Sequence, residues 1–179
     1  KDKLQDEFSK YIFGENDDNL SSVLIKELIN RKESLGFAES CTGGLLSSTI
    51  TAISGSSKVF KGSIISYSNE LKQSLLNIPE HLIKKYGAVS KEVAQNMAIN
   101  AKEELNSDWS IAISGIAGPS GGNKDKPVGL VYISIAGPYD HITNIKRIFS
   151  SNRNRIEIQR LSVNVCLNSL RLILLSKSK

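Results

Sequence analysis

Apolar positions along the chain switch repeatedly between a helical spacing and short β-type runs. In "NDDNLSSVLIKELINRKE", Leu20, Val23, Leu24, Leu28 and Ile29 recur at helical intervals just after Asp17 and Asp18, which predicts a first helix. "SLGFAES" is a short strand candidate, and "CTGGLLSSTITAI" reads as a helix that starts at its glycine pair. "KGSIISYSN" alternates and is rich in β-branched residues, so it reads as a second strand. "ELKQSLLNI" and "EHLIKKYG" follow as short helices, with Pro79 placed to begin the second. In "SKEVAQNMAINAKEELN", Ser90 is an N-cap candidate and Val93, Met97, Ala98, Ala101 and Leu105 form one apolar face. Two strands, "WSIAISGIAG" and "LVYISIAG", flank the glycine-rich "PSGGNKDKPVG". A further strand, "HITNIKRIF", leads to "SNRNRIEIQRLSVNVCLNSLRLILL", a long C-terminal helix.

Strands alternating with helices predict a single-domain α/β sandwich, and the near succession of the last three strands predicts a mixed sheet flanked by helices. Ahead of it, "KDKLQDEFSKYIFGEN" reads as an amphipathic piece and a turn, giving a connector over residues 1–18 and a domain over 19–179. Ligands in such folds sit where loops leave strand ends. The three loops with unusual residues all follow predicted strands and can therefore share one pocket.

Composition narrows the class. With 40 % hydrophobic and 23 % charged residues, the 179-residue chain has the makeup of one domain with a real core. Its apolar runs, such as "SLRLILLS", are far shorter than the roughly 20 residues of a membrane span, and no signal-peptide pattern opens the chain. No membrane association is expected. Cys41 and Cys166 are the two cysteines, too few for a disulfide framework or a structural zinc site, which points to a reducing cytoplasm. The net charge of +5 is uneven: residues 1–40 carry six Lys/Arg against nine Asp/Glu, residues 141–179 eight against one. A basic C-terminal stretch suits nucleic acid, an anionic small molecule or an ordinary solvated face.

Local chemistry leaves alternatives open. Ser40, Cys41 and Thr42 in "AESCTGG" stand at a predicted helix N-terminus, where unpaired N–H groups and the dipole favour a phosphate or an oxyanion beside an attacking Ser40. The plainer reading is a capped helix in which Gly43 and Gly44 allow close packing. The motif is neither a dinucleotide fingerprint, nor a phosphate loop, nor a nucleophile elbow. Neither His81 nor His141 lies in a loop with other signs of chemistry, so a histidine triad is not expected. A buried lysine can serve as base instead, and Lys72 sits about one turn into the helix after the second strand. Cys41 competes as nucleophile, against the reading of a small buried cysteine. "SGIAGPSGGNKDKPVG" packs five glycines and two prolines behind Ser114 and Gly115, and can present backbone N–H groups to a ligand or simply be a long mobile connection. Arg153 and Arg155 stand at the entry to the final helix, where each suits a phosphate or a solvated surface.

Taken together, "AESCTGG", "GSIISYSNELK", "YGAVSKEVAQNMA" and "SGIAGPSGGNKDKPVGLVYISIA" resemble, in order and spacing, the C-terminal domain of the competence-damage-inducible CinA family, also found as a stand-alone nicotinamide mononucleotide deamidase. The resemblance covers roughly residues 10–175. It implies an amidohydrolase that converts nicotinamide mononucleotide to nicotinic acid mononucleotide and ammonia in pyridine nucleotide recycling. By motif, Ser40 would be the nucleophile and Lys72 its base, with Tyr67 and Ser114 orienting the amide. Backbone N–H groups of Cys41, Thr42, Gly43 and Gly44 would receive the oxyanion. Arg153 would match the family's phosphate-contacting arginine, with "SSN" in place of the usual glycine-containing lead-in and Arg155 as the alternative. No metal or organic cofactor is implied. A homodimer is expected, and "YIFGENDDNL" looks like the connector to the family's N-terminal molybdopterin-binding-like domain. The rival reading is a non-catalytic competence or DNA-damage module that binds nucleic acid through its basic C-terminal face; the chain lacks interleaved aromatics and a DNA-reading motif.

Overall fold

The computed structural model describes residues 12–14 and 18–176, so most of the connector read at residues 1–18 lies outside the described residues. The elements run α1 (Leu20–Arg31), β1 (Leu35–Glu39), α2 (Leu45–Thr51), a 3-10 turn (Ser56–Lys58), β2 (Phe60–Ile65), α3 (Asn69–Leu76), α4 (Glu80–Tyr86), α5 (Lys91–Glu104), β3 (Trp109–Gly115), β4 (Leu130–Ala136), β5 (Ile142–Ile148) and α6 (Arg155–Ser176). The strands form one sheet in the order β2-β1-β3-β4-β5. The first three are mutually parallel; β4 and β5 complete the sheet antiparallel. This is the mixed α/β architecture that the alternation predicts.

The period of two in the strands sorts side chains by size. Phe37, Ile111, Ile113, Ile133 and Ile135 face one side, where they pack with Leu24 and Leu28 of α1, Leu46 and Ile50 of α2, and Ile158, Leu167 and Leu170 of α6. Their neighbours Ala38, Ala112 and Ala136 face the other side, and these small residues let α5 lie close through Val93, Met97, Ala98 and Ala101. At 22 residues, α6 is long and apolar enough to cross a bilayer by length and composition, yet its buried stripe packs on the sheet as a core helix.

Several boundaries differ from the sequence reading. The strand read over "KGSIISYSN" ends at Ile65, because Ser66 turns out of the sheet after donating its N–H to Glu39 O. Pro79 is the N-cap of α4 and not its first helical residue. The last helix starts four residues later than "SNRNR" suggests: Asn154 Oδ1 accepts from Glu157 N–H while Glu157 Oε2 accepts from Asn154 N–H, a reciprocal cap.

Gly129 closes the glycine-rich loop at φ 92°, and a Cβ there would collide with the carbonyl oxygen of Phe149. Both obstacles are backbone, so no side chain can give way. Gly129→Ala is expected to lose at least about 2 kcal/mol of stability, read as a lower melting temperature.

Candidate active site

The crossover from β1 to β2 goes one way and that from β2 to β3 returns past β1, so the sheet reverses its winding between β1 and β3. Loops that leave neighbouring parallel strands on opposite sides open a crevice at such a point. Ser40 follows β1, Ser114 and Gly115 end β3, and the residues leading to Lys72 follow β2. All three predicted loops therefore meet. They line one cavity of about 250 Å³ with Tyr67, Asn69, Ala88, Val89, Gly118 and Arg155 around its wall.

Lys72 is the fixed centre of this arrangement. Ser68 caps α3 by accepting from Leu71 N–H, and the lysine on the next position folds back over the incoming loop. Its side chain is 1 % exposed. Nζ donates to Ser66 O at 2.8 Å and lies 3.3 and 3.4 Å from the carbonyl oxygens of Tyr67 and Ser68. Ser40 Oγ stands 3.1 Å from the same nitrogen. Burial pushes the Lys72 amine below the ordinary lysine range, partly opposed by the electrostatic influence of nearby Cys41 and Glu70. A neutral amine has two N–H groups for carbonyls and one lone pair, which the Ser40 hydroxyl can use as donor.

Cys41 also lines the cavity, but burial pushes its thiol up to about 12, outweighing the opposing effects of its own backbone N–H and of Arg155. A thiol held protonated at neutral pH is a poor nucleophile. No histidine is among the cavity's lining residues, and no group of metal-ligating side chains occurs among the described residues.

The N-terminus of α2 departs from expectation. Its anion is supplied by the chain itself: the Glu39 carboxylate, fully buried, accepts from Gly44 N–H at 3.0 Å, Leu46 N–H at 3.1 Å and Ser47 N–H at 2.8 Å, and from the Ser47 hydroxyl. Gly43 N–H goes to Ser40 O and Leu45 N–H to Thr42 O. Gly43 and Gly44 thus serve the turn, at φ 59° and 102°, and neither they nor Thr42 line the cavity. Of the N–H groups from Ser40 to Ser47, those of Cys41 and Thr42 have no hydrogen-bond acceptor on another residue among the described residues.

The arginine reading also shifts. Arg153 is exposed in the turn before α6 and does not line the cavity, because the cap at Asn154 starts the helix after it. Arg155 is the one brought to the rim, donating through Nη2 to Tyr67 Oη at 2.7 Å and through Nη1 to Gly118 O at 3.0 Å. Ser114 Oγ donates to Ala88 O at 2.8 Å and ties β3 to the segment before α5. Sequence reasoning missed Glu39, Asn69 and Gln159, whose Nε2 donates to Cys41 O at 2.7 Å. For Glu39 a signal was present: an acidic residue just ahead of a helix whose own cap is glycine. Within the basic C-terminal stretch, Arg155 lies in the cavity wall and Arg171 is buried, while Lys146, Arg147, Arg153 and Arg160 are exposed.

The profile of the CinA C-terminal domain family matches residues 17–174. A CinA-like protein of Prochlorococcus marinus (strain MIT 9515) is 83 % identical over all 179 residues, and one from Synechococcus sp. (strain RCC307) is 48 % identical over 91 % of the chain. The chain spans 41 % and 39 % of the lengths of these two relatives. Among solved structures, the competence/damage inducible protein CihA of Agrobacterium tumefaciens superposes with a TM-score of 0.84 at 31 % identity, covering 91 % of this chain and 98 % of that one. A competence-damaged protein (CinA) superfamily protein of Escherichia coli gives 0.81 at 29 % identity, covering 92 % of this chain and 98 % of that one. From the order of its loops to the sheet that carries them, the chain belongs to the CinA family, as a C-terminal domain of that family.

Proposed function

We propose that the chain is an amidohydrolase that cleaves the carboxamide of nicotinamide mononucleotide by a serine-lysine mechanism, giving nicotinic acid mononucleotide and ammonia. The observation that carries this reading is the buried Lys72 Nζ at 3.1 Å from Ser40 Oγ inside a cavity, with burial favouring the neutral amine. Neutral Lys72 takes the Ser40 proton as Oγ bonds to the amide carbon. The oxyanion is received by the open N–H of Cys41, the residue after the nucleophile, which lines the cavity. Protonated Lys72 then returns the proton to the nitrogen, the C–N bond breaks, and ammonia leaves. Water, deprotonated by the same amine, attacks the acyl-serine and releases the acid.

The cavity volume of about 250 Å³ lies below the ~300–1,000 Å³ usual for small-molecule sites. It suits the amide-bearing ring, with the ribose phosphate reaching the rim. There Arg155 is the phosphate contact of this reading, since its present partners are both uncharged. The N-terminus of α2 is not available for that role, because Glu39 fills it. The greater length of the relatives is consistent with a further N-terminal domain in the complete protein.

Incubation of the purified chain with nicotinamide mononucleotide, following the acid by mass spectrometry and ammonia by coupled assay, tests the reading. Turnover is expected, and a folded chain that releases no ammonia from it overturns the assignment. Arg155→Ala should raise KM about tenfold or more with little change in kcat, as for loss of a charged hydrogen bond made equally in ground and transition states. Arg153→Ala should change neither.

A further inference from the structure

Glu39 is fully buried, charged by type, and takes no part in the proton transfers above. Its main chain stands at the junction of the site: Glu39 pairs with Ile65 on β2 and Ile113 on β3, and its carbonyl accepts the N–H of Ser66, which begins the Lys72 loop. Its side chain then crosses to α2 and takes four donors, while Gly44, the N-cap, contributes no side-chain cap. One residue therefore fixes both the strand end before Ser40 and the helix start after Thr42. The three residues between, Ser40 to Thr42, are held at both ends, and Gln159 holds Cys41 O from the far side.

We infer that Glu39 is a positioning residue for the oxyanion site. Resting on the serine-lysine reading, it acts by taking up the N–H groups of Gly44, Leu46 and Ser47, so that the turn is fixed and the Cys41 N–H at the cavity wall stays open in a set direction. The carboxylate is an acceptor at both oxygens, which the four donors require. A carboxamide of the same shape places an NH2 group against N–H donors, so the turn must shift. Because the oxyanion develops only after the ground state, in the transition state and the tetrahedral intermediate, a misaimed donor lowers kcat and leaves KM alone.

Glu39→Gln is therefore expected to lower kcat about a hundredfold, the scale of one lost oxyanion donor, with KM for nicotinamide mononucleotide within about threefold. A second readout does not depend on that substrate. A fluorophosphonate labels Ser40 when Oγ attacks phosphorus, fluoride leaves and the proton passes through Lys72 to solvent, and its phosphoryl oxygen accepts from the same Cys41 N–H. The labelling rate per folded molecule, followed by intact mass, should fall in parallel with kcat. If Glu39 only stabilises the fold, melting temperature falls while kcat and labelling rate per folded molecule stay at the wild-type level, and the inference is wrong. Should Glu39→Gln fail to fold, Ser47→Ala removes one donor and keeps the carboxylate; unchanged kcat and labelling there also overturn it, and a fall of about threefold or more supports it. A wild-type chain that labels but does not turn over the nucleotide removes the amidase reading alone, and the labelling rates decide on Glu39. One that does neither overturns both.

Discussion

Ser40→Ala is expected to leave a folded chain whose amidase rate falls by at least about 10⁴-fold, the scale seen when a covalent nucleophile is removed from a hydrolase. Ser40 Oγ points at Lys72 Nζ, its one hydrogen-bond partner among the described residues, and the Ser40 main-chain N–H donates to Ile113 O. Removing the hydroxyl costs the buried amine one partner and keeps its bond to Ser66 O. Stability should therefore change little while chemistry stops. Cys41→Ala provides the contrast, since the thiol is held protonated by burial. Ammonia release and intact-mass detection of an acyl-enzyme check both. Full activity in Ser40→Ala with loss in Cys41→Ala would move the nucleophile by one residue and sink the serine mechanism.

Lys72→Met should be nearly as damaging, about 10³-fold or more in kcat, because the methionine fills much of the buried space of the lysine stem and offers no basic nitrogen. The wild-type pH profile carries a separate prediction. Attack requires neutral Lys72, so kcat/KM should rise with pH and level off once the amine is deprotonated. Burial displaces that limb to below the ordinary lysine range. The linkage has a definite sign: between the lowered folded pKa and the ordinary unfolded one, the unfolded chain binds the extra proton, so stability gains with pH across that window. The gain disappears in Lys72→Met. A rising limb at the ordinary lysine value, or unchanged activity in the variant, would remove Lys72 as base.

How much of this was readable beforehand differs between elements. The sandwich and its mixed sheet follow from the alternation of periods, and "WSIAISG" and "LVYISIA" could scarcely be other than buried strands. Ser40 and Lys72 lie 32 residues apart, and nothing in local spacing says that a lysine on α3 will reach over its own loop to the end of β1. Motif resemblance supplied that pairing. The choice between Arg153 and Arg155 was decidable in principle, since N-R-I-E contains the Asn-x-x-Glu cap that starts α6 and turns the second arginine inward. The assignment of Thr42, Gly43 and Gly44 to ligand binding went astray for a different reason. A helix N-terminus advertises an anion site, but the sequence cannot say whether the anion comes from solvent or from the preceding strand. Here it comes from Glu39.

The bonds from α6 set a timetable for the nascent chain. Gln159 reaches Cys41 across 118 residues and Arg155 reaches Tyr67 across 88, so the final helix supplies one wall of a cleft whose other parts were synthesised long before. Until that helix leaves the ribosome, α1 and α2 cover that face of the sheet only in part and the turn around Cys41 lacks a brace. A chain interrupted ahead of Arg155 therefore ends with an uncovered hydrophobic surface and an unfinished pocket together, which couples quality control of the fold to the appearance of the site.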